Sequence, residues 1–332
     1  MKHHKVFSRF KPFHGECGPG RFVDGFLGTQ VRLEYARVPN PPIADTPSVI
    51  HASYPALNEE YFEWIDLLES VIAAKDSYTM IELGAGIGRW AVRAACAVEQ
   101  SRARLPYRLI AVEAEPTHFK WMTQHFSDNG IDPTQHTLIH AAVSGSAGTA
   151  SFYVGNENRD TPVEWFGQSL TKDYEVDVPD EEAAYCGYRV RSHASGARSI
   201  TVQAVTLGSI LEDLTKVDLV DSDLQGAELA VIRSSIDALD AKVKRLHIGT
   251  HSTEIERELR DLLSSHGWHC SRDYPCFSER ETPFGLVQFQ DGVQTWVNPR
   301  LAGPWGRPLG FLRNALYRWR RERLQKETTP TV

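Results

Sequence analysis

The sequence predicts an α/β fold, a mostly parallel sheet with helices on both faces. Three observations carry that expectation. Short apolar runs alternate with amphipathic stretches through the middle of the chain. The first run, Thr79-Met-Ile-Glu-Leu83, breaks on glycines at Gly84, Gly86 and Gly88, and the next, Tyr107-Arg-Leu-Ile-Ala-Val-Glu113, ends in carboxylates.

Taken in order, residues 1–55 are rich in Gly and Pro, with Pro39, Pro41, Pro42, Pro47 and Pro55 against any long helix, and are expected to form an irregular arm. From Asn58 to Ala74, Tyr61, Phe62, Ile65, Leu68 and Ile72 recur at helical spacing. Strands follow at 79–83, 108–113, 136–140, 217–222 and 244–249, with helices near 88–99, 117–128, 225–238 and 253–266. Gly285-Leu-Val-Gln-Phe289 and Val293-Gln-Thr-Trp-Val297 predict an antiparallel hairpin closing around Asp291-Gly292, a favoured turn pair. The expected domain spans 56–300, with a polar insertion at 156–199 and a basic helix and tail at 301–332.

Composition excludes several classes. A chain of 332 residues with 41% hydrophobic content can build one large α/β core with extensions. A net charge of −7 gives no overall attraction to nucleic acid. No apolar stretch approaches the roughly 18 residues that span a bilayer, and the first residues lack the apolar segment of a secretory signal. Five cysteines without C-x-x-C spacing indicate neither a disulfide framework nor a structural zinc, so a reducing cytoplasm is the expected location.

Glycine takes positive φ and lacks Cβ, so the turn at Gly84, Gly86 and Gly88 lets backbone approach a ligand at a helix start. Its G-x-G-x-G spacing places Arg89 where the dinucleotide fingerprint has its last glycine, which argues against NAD. With Glu82 just before it, the turn resembles motif I of S-adenosylmethionine-dependent methyltransferases. A carboxylate at the end of the second strand can accept the ribose hydroxyls of such a ligand, and Glu113 is the first candidate, Glu115 the second. Either carboxylate can instead cap the helix starting near Thr117.

Further segments agree in order. His140-Ala-Ala-Val-Ser-Gly-Ser-Ala-Gly-Thr-Ala-Ser-Phe-Tyr-Val154, Gly167-Gln-Ser-Leu170, Val202-Gln-Ala-Val-Thr-Leu-Gly-Ser-Ile-Leu211 and Val217-Asp-Leu-Val-Asp-Ser-Asp-Leu-Gln-Gly-Ala-Glu-Leu229 extend the two motifs across residues 75–270. Together they resemble the FkbM-type methyltransferases, a Rossmann-like class I branch of the S-adenosylmethionine enzymes. That resemblance implies S-adenosyl-L-methionine as cofactor, with Glu82, Gly84, Gly86, Gly88, Glu113, Glu115 and Ala142 around it. It further implies O-methylation of a sugar, glycan or secondary-metabolite hydroxyl. Two departures stand out: Asp221 where the family usually has lysine, and Gly249 where it is often acidic.

The catalytic candidates are Asp223, at a strand end inside the most specific motif, His251, at the end of the fifth strand, and Glu228 on the following helix. His251 is either a base or a helix cap. Asp221, Asp223 and Glu228 offer hard oxygen ligands for a divalent cation. In the insertion, Trp165, Phe166, Tyr174, Tyr185 and Tyr188 lie among polar residues, beside the acidic run 177–182, and suit a hydroxylated acceptor or pack locally. The stretch 309–326 reads as a basic amphipathic helix that docks on its own domain or makes peripheral contact with a membrane. A cofactor-binding module without turnover, or a nucleotide-dependent oxidoreductase, remain the alternatives.

Overall fold

Side-chain alternation along the first core strand decides how the sheet is clad. In β1 (Tyr78–Leu83), Tyr78 and Met80 enter one apolar layer while Ile81 and Leu83 enter the other. The computed structural model describes residues 3–36, 47–156, 168–170, 177–193 and 197–301. The remaining central strands are β2 (Tyr107–Glu113), β3 (Thr137–His140), β4 (Leu219–Ser222), β5 (Arg245–Thr250), β6 (His269–Tyr274) and β7 (Gly292–Val297). They lie in the order β6-β7-β5-β4-β1-β2-β3. Only β7 runs against its neighbours β5 and β6 in this sheet; the other pairs are parallel.

Among the described residues the helices of seven residues or more are α1 (Glu60–Ala73), α2 (Arg89–Arg102), α3 (Pro116–Asp128), α4 (Glu228–Ser234), α5 (Ile236–Lys242) and α6 (Thr253–Ser265). Trp64, Leu68, Ala91, Val98, Met122 and Phe126 bring α1 to α3 onto one face, and Val231, Leu239, Leu259 and Leu263 bring α4 to α6 onto the other. Each fully buried side chain of this size contributes about 1.5–3 kcal/mol. After β1 the chain builds outward through β2 and β3, then returns to β4 on the opposite side of β1. This reversal opens a crevice at the C-terminal ends of β1 and β4.

Three expectations need correction. The stretch 225–238 is not one helix: Gln225 (φ 51°) and Gly226 (φ 106°) are left-handed, so α4 starts only at Glu228. It ends at Ser235, whose Oγ accepts from the Gly208 N–H (2.8 Å). A C-terminal antiparallel hairpin is present, but Gly285–Phe289 pairs with Ser278–Thr282 through a turn at Pro283-Phe284, while Gly292–Val297 joins the central sheet as β7. The carboxylate of Glu59 takes the N–H groups of Gln290 and Asp291 (2.9 and 3.1 Å), which turns Asp291-Gly292 into a crossing between sheets. The arm, expected to be irregular, contains a 3-10 turn at Lys5–Arg9 and two small antiparallel pairs, His14–Cys17 with Ser48–His51 and Arg21–Asp24 with Thr29–Arg32. Prolines crowd 39–47 and spare these strands.

The polar insertion holds a second sheet, in which Gly148–Asn156, Asp177–Tyr185, Tyr188–His193 and Ala197–Val205 pair antiparallel over Phe152, Val154, Val190 and Ile200. Trp165, Phe166, Tyr174 and the basic stretch 309–326 lie outside the described residues. Among the described residues no helix is long and apolar enough to cross a membrane.

Candidate active site

The glycine turn is built around a close approach of backbone to backbone. Gly84 has φ 74°, and a Cβ there would overlap the carbonyl oxygen of Asp223, which the chain presses against the turn just past β4. The Asp223 N–H in turn donates to the Leu83 carbonyl (3.1 Å). Gly86 faces open space, and its N–H donates to Glu113 Oε2 (2.6 Å). Gly88 has another job: its missing Cβ makes room for Met122 and Phe126 between α2 and α3, so it packs the fold and does not face the cleft.

Around this turn lies a cleft with about 710 Å³ of empty space, counting its open mouth, lined by Gly84, Gly86, Glu113, Ala142, Phe152 and Asp223 among others. Glu113 sits in its wall. Burial pushes this carboxyl up to about 7, against the opposing pull of the N–H groups of Glu115 and Gly86. Glu115, the second ribose candidate, is corrected by the structure. It is fully buried, caps α3 through the N–H groups of Thr117 and His118 (3.0 and 2.6 Å), and accepts from the Tyr185 hydroxyl (2.7 Å). The capping alternative therefore describes Glu115 and not Glu113.

A second chamber opens beside the first and shares Gly84 and Asp223 with it. Its walls carry Glu59, Glu60, Glu63, Glu82, Asp221 and Asp291, with His247 and Arg89 as the basic groups. Glu82 belongs here and not in the first cleft; its carboxylate accepts from Trp90 N and Ala91 N (3.1 and 2.8 Å), the free donors of α2's first turn. Burial and then the neighbouring charge of Asp221 raise it to about 8. Arg89 is tied to Asp24 (2.6 Å) and Glu60 (2.7 Å), joining the arm to the chamber.

The three catalytic candidates form one cluster. His251 Nδ1 lies 2.8 Å from Glu228 Oε1 and Nε2 lies 3.2 Å from Asp223 Oδ1. Burial would lower the imidazole pKa, but hydrogen bonds and charge from Asp223 and Glu228 push it up to about 10. His251 is then a cation at neutral pH and cannot take a proton there, which corrects its assignment as a base. Glu228 is fully buried, and its Oε1 accepts from Leu224 N and Gly226 N (3.1 and 3.0 Å), fixing the turn that carries Asp223. It lines neither chamber. Burial opposes ionisation of Asp223, yet His251 holds its pKa below the usual range.

The structure does not gather Asp221, Asp223 and Glu228 into one cation site. Asp221 stands with Glu63 and His247, whereas Asp223 and Glu228 stand with His251. Asp221 points from within β4, in register with Glu82 on β1 and His247 on β5, while Asp223 lies beyond the strand end. Sequence reasoning missed Glu63 and His247. The signal was a carboxylate stripe at helical spacing, Glu59, Glu63 and Asp66, on the flank of an apolar helix face.

Comparison with known proteins adds a family. The Methyltransferase FkbM domain matches residues 82–270, more than half of the chain. A protein from Jannaschia sp. (strain CCS1) named "Putative methyltransferase" is 28% identical over 244 residues, covering 73% of this chain and 80% of that protein. Among solved structures, a precorrin-6y C5,15-methyltransferase from Geobacter metallireducens GS-15 superposes with a TM-score of 0.38 at 13% identity, covering 74% of this chain and 91% of the other. Methyltransferase FkbM from Methylobacillus flagellatus KT gives a TM-score of 0.39 at 12% identity, over 67% of this chain and 44% of that one.

Proposed function

Because the chain belongs to the FkbM methyltransferase family and is an S-adenosylmethionine-dependent methyltransferase, we propose that it methylates a hydroxyl of a sugar, glycan or secondary metabolite bound in the second chamber. The observation that carries this reading is the junction of the two chambers at Gly84 and Asp223. A cofactor lying along the first cleft, with its ribose at Glu113, would present its methyl group toward that junction. Ala142 and Phe152 offer the apolar wall an adenine needs.

Transfer is an in-line displacement. The acceptor oxygen forms a C–O bond as the C–S bond breaks, sulfur keeps the electron pair, and the hydroxyl proton must leave. Positioning alone can supply roughly 7–11 kcal/mol of the barrier reduction. Asp223 is the group placed to receive the proton: it is ionised, half exposed and at the junction, and can pass the proton to water. His251 and Glu228 act by holding that carboxylate. The polar chamber walls suit a hydroxylated acceptor, whose oxygens need hydrogen-bond partners.

Isothermal titration with S-adenosylhomocysteine, repeated on Glu113→Ala, tests the cofactor site. Micromolar binding weakened at least about 10-fold in the variant is expected, the loss for hydrogen bonds to a charged group. Methyl transfer from radiolabelled cofactor to a panel of glycosides then tests the acceptor class, and transfer only to amines or carbon acids would overturn it.

A further inference from the structure

One row of buried polar side chains crosses the sheet from strand to strand. Glu82 on β1, Asp221 on β4, His247 on β5 and Thr295 on β7 are register partners, and all four are buried. Over this row lies α1, which contributes Glu63 and Asp66. Asp66 is spoken for: it accepts from Arg245 (2.7 Å), Arg272 (2.6 Å), Thr295 and His247 Nδ1 (2.8 Å). The other end of the row is different. Glu63 and Asp221 are two carboxyls that hydrogen-bond each other in the chamber wall; among the described residues no Lys or Arg pairs with them directly, and Arg93 acts on Glu63 only from farther off.

His247 is the third member of this group. Its ring is 96% buried, since only 4% is exposed. With Nδ1 turned to the Asp66 carboxylate, Nε2 has no hydrogen-bond partner among the described residues, and the residue lines the second chamber. In the neutral ring a hydrogen on Nδ1 leaves Nε2 as a lone pair. A carboxylate behind a histidine is the usual outer shell of a metal ligand, since it fixes the tautomer and raises the ligand's basicity. The donor atoms of Glu63, Asp221 and His247 lie within 4.8 Å of one another, a spacing that one ion can span with ligand distances near 2.0–2.6 Å.

We propose that Glu63, Asp221 and His247 form a divalent-cation site in the floor of the second chamber, with Asp66 as the outer-shell partner of His247. Two oxygens and one imidazole nitrogen leave coordination positions facing the chamber. Placing an acceptor hydroxyl on one of them rests on the two-chamber reading above. There the ion would stabilise oxygen as it loses its proton beside the methyl donor. The neighbouring cluster of Asp223, Glu228 and His251 is less suited, because both ring nitrogens of His251 already face carboxylates at 2.8 and 3.2 Å.

The test uses Mn²⁺ as probe on chelator-stripped full-length protein. The loss of the free-ion electron paramagnetic resonance signal reports binding, and ¹⁴N modulation of the bound-ion signal reports an imidazole ligand. S-adenosylhomocysteine titration of the same samples reports whether each variant is folded and binds cofactor. One Mn²⁺ per chain with ¹⁴N modulation is expected, weakened at least about 10-fold in Glu63→Gln and Asp221→Asn, no less than the loss typical for an outer-shell partner. Asp223→Asn should weaken Mn²⁺ binding less than either, because the residue adds charge to the same chamber but lies outside the proposed set. Two results would overturn the site: no Mn²⁺ binding by protein that binds S-adenosylhomocysteine, or binding lost in Asp223→Asn and kept in Glu63→Gln. Failure of the cofactor titration with Mn²⁺ binding intact would strike the cofactor reading and leave the cation site standing.

Discussion

His251 shows how neighbours reverse the role a residue type suggests. A histidine at a strand end invites assignment as a base, but between Asp223 and Glu228 it is held as a cation with a pKa near 10. Because the folded value lies above the unfolded one of about 6.5, its contribution to stability is full below pH 6.5 and is lost as pH rises through 10. Urea denaturation from pH 6 to 10 should show that decline in the wild type and a flatter profile in His251→Gln; identical slopes would refute the bracketed cation. Gly84 carries an equally local argument. An alanine there would meet the Asp223 carbonyl while forced to positive φ, so Gly84→Ala should lose S-adenosylhomocysteine binding and at least about 2 kcal/mol of stability. Near-normal binding by calorimetry would show that the two strand ends do not meet this closely.

At the scale of elements, the strands were readable because buried strands are apolar runs, and six of the seven central strands, all but β6, lie within two residues of where the sequence puts them. Pairing was less legible. Asp291-Gly292 has hairpin chemistry, yet the carboxylate of Glu59 captures the adjacent N–H groups, and a contact between residues so distant in sequence leaves no local mark. The split of α4 from α5 was hidden for a similar reason, since the positive φ at Gln225 serves a turn held by Glu228. Of the site, the glycine turn, Glu113 and Asp223 could be read from motif position. Glu63 and His247 could not, because their meeting depends on how α1 crosses the sheet. The arm is fastened by two charged networks, Arg21 and Arg32 on Asp128 of α3 and Asp24 on α2. Asp24 accepts from both Arg89 and Arg93, and Arg93 is fully buried with its guanidinium 4.7 and 4.2 Å from the ring centres of Trp64 and Trp90. Removing the Asp24 charge leaves Glu60 as the carboxylate paired with both Arg89 and Arg93, so Asp24→Asn should cost about 1.5–3 kcal/mol in chemical denaturation. A loss below 1 kcal/mol would mean that the arm is held by its aromatic contacts and by Arg21 and Arg32 on Asp128 instead.

Across the whole molecule, the first cleft, proposed above to hold the cofactor, collects its walls from segments far apart in the chain: the turn after β1, the end of β2, the stretch after β3, Phe152 in the second sheet and the turn after β4. A ligand that touches all of them binds only the folded chain, so saturating cofactor should stabilise the fold as a unit, by about 2.7 kcal/mol at 100 times Kd. Glu113 makes that linkage depend on pH. In the unliganded protein, burial lifts its carboxyl to about 7, so the group is largely protonated at pH 6 and largely ionised at pH 8. Only the ionised form can accept both ribose hydroxyl hydrogens. Binding below pH 7 must therefore release a proton, and affinity should climb toward a tenfold gain per pH unit before levelling off above 7. Isothermal titrations with S-adenosylhomocysteine at pH 6, 7 and 8, in buffers of different ionisation enthalpy, read both the slope and the released proton. The climb should vanish in Glu113→Gln, which cannot ionise. An affinity that stays flat in the wild type would mean that the ribose is held elsewhere, and that Glu113 serves the fold by tying the Gly86 N–H to the end of β2.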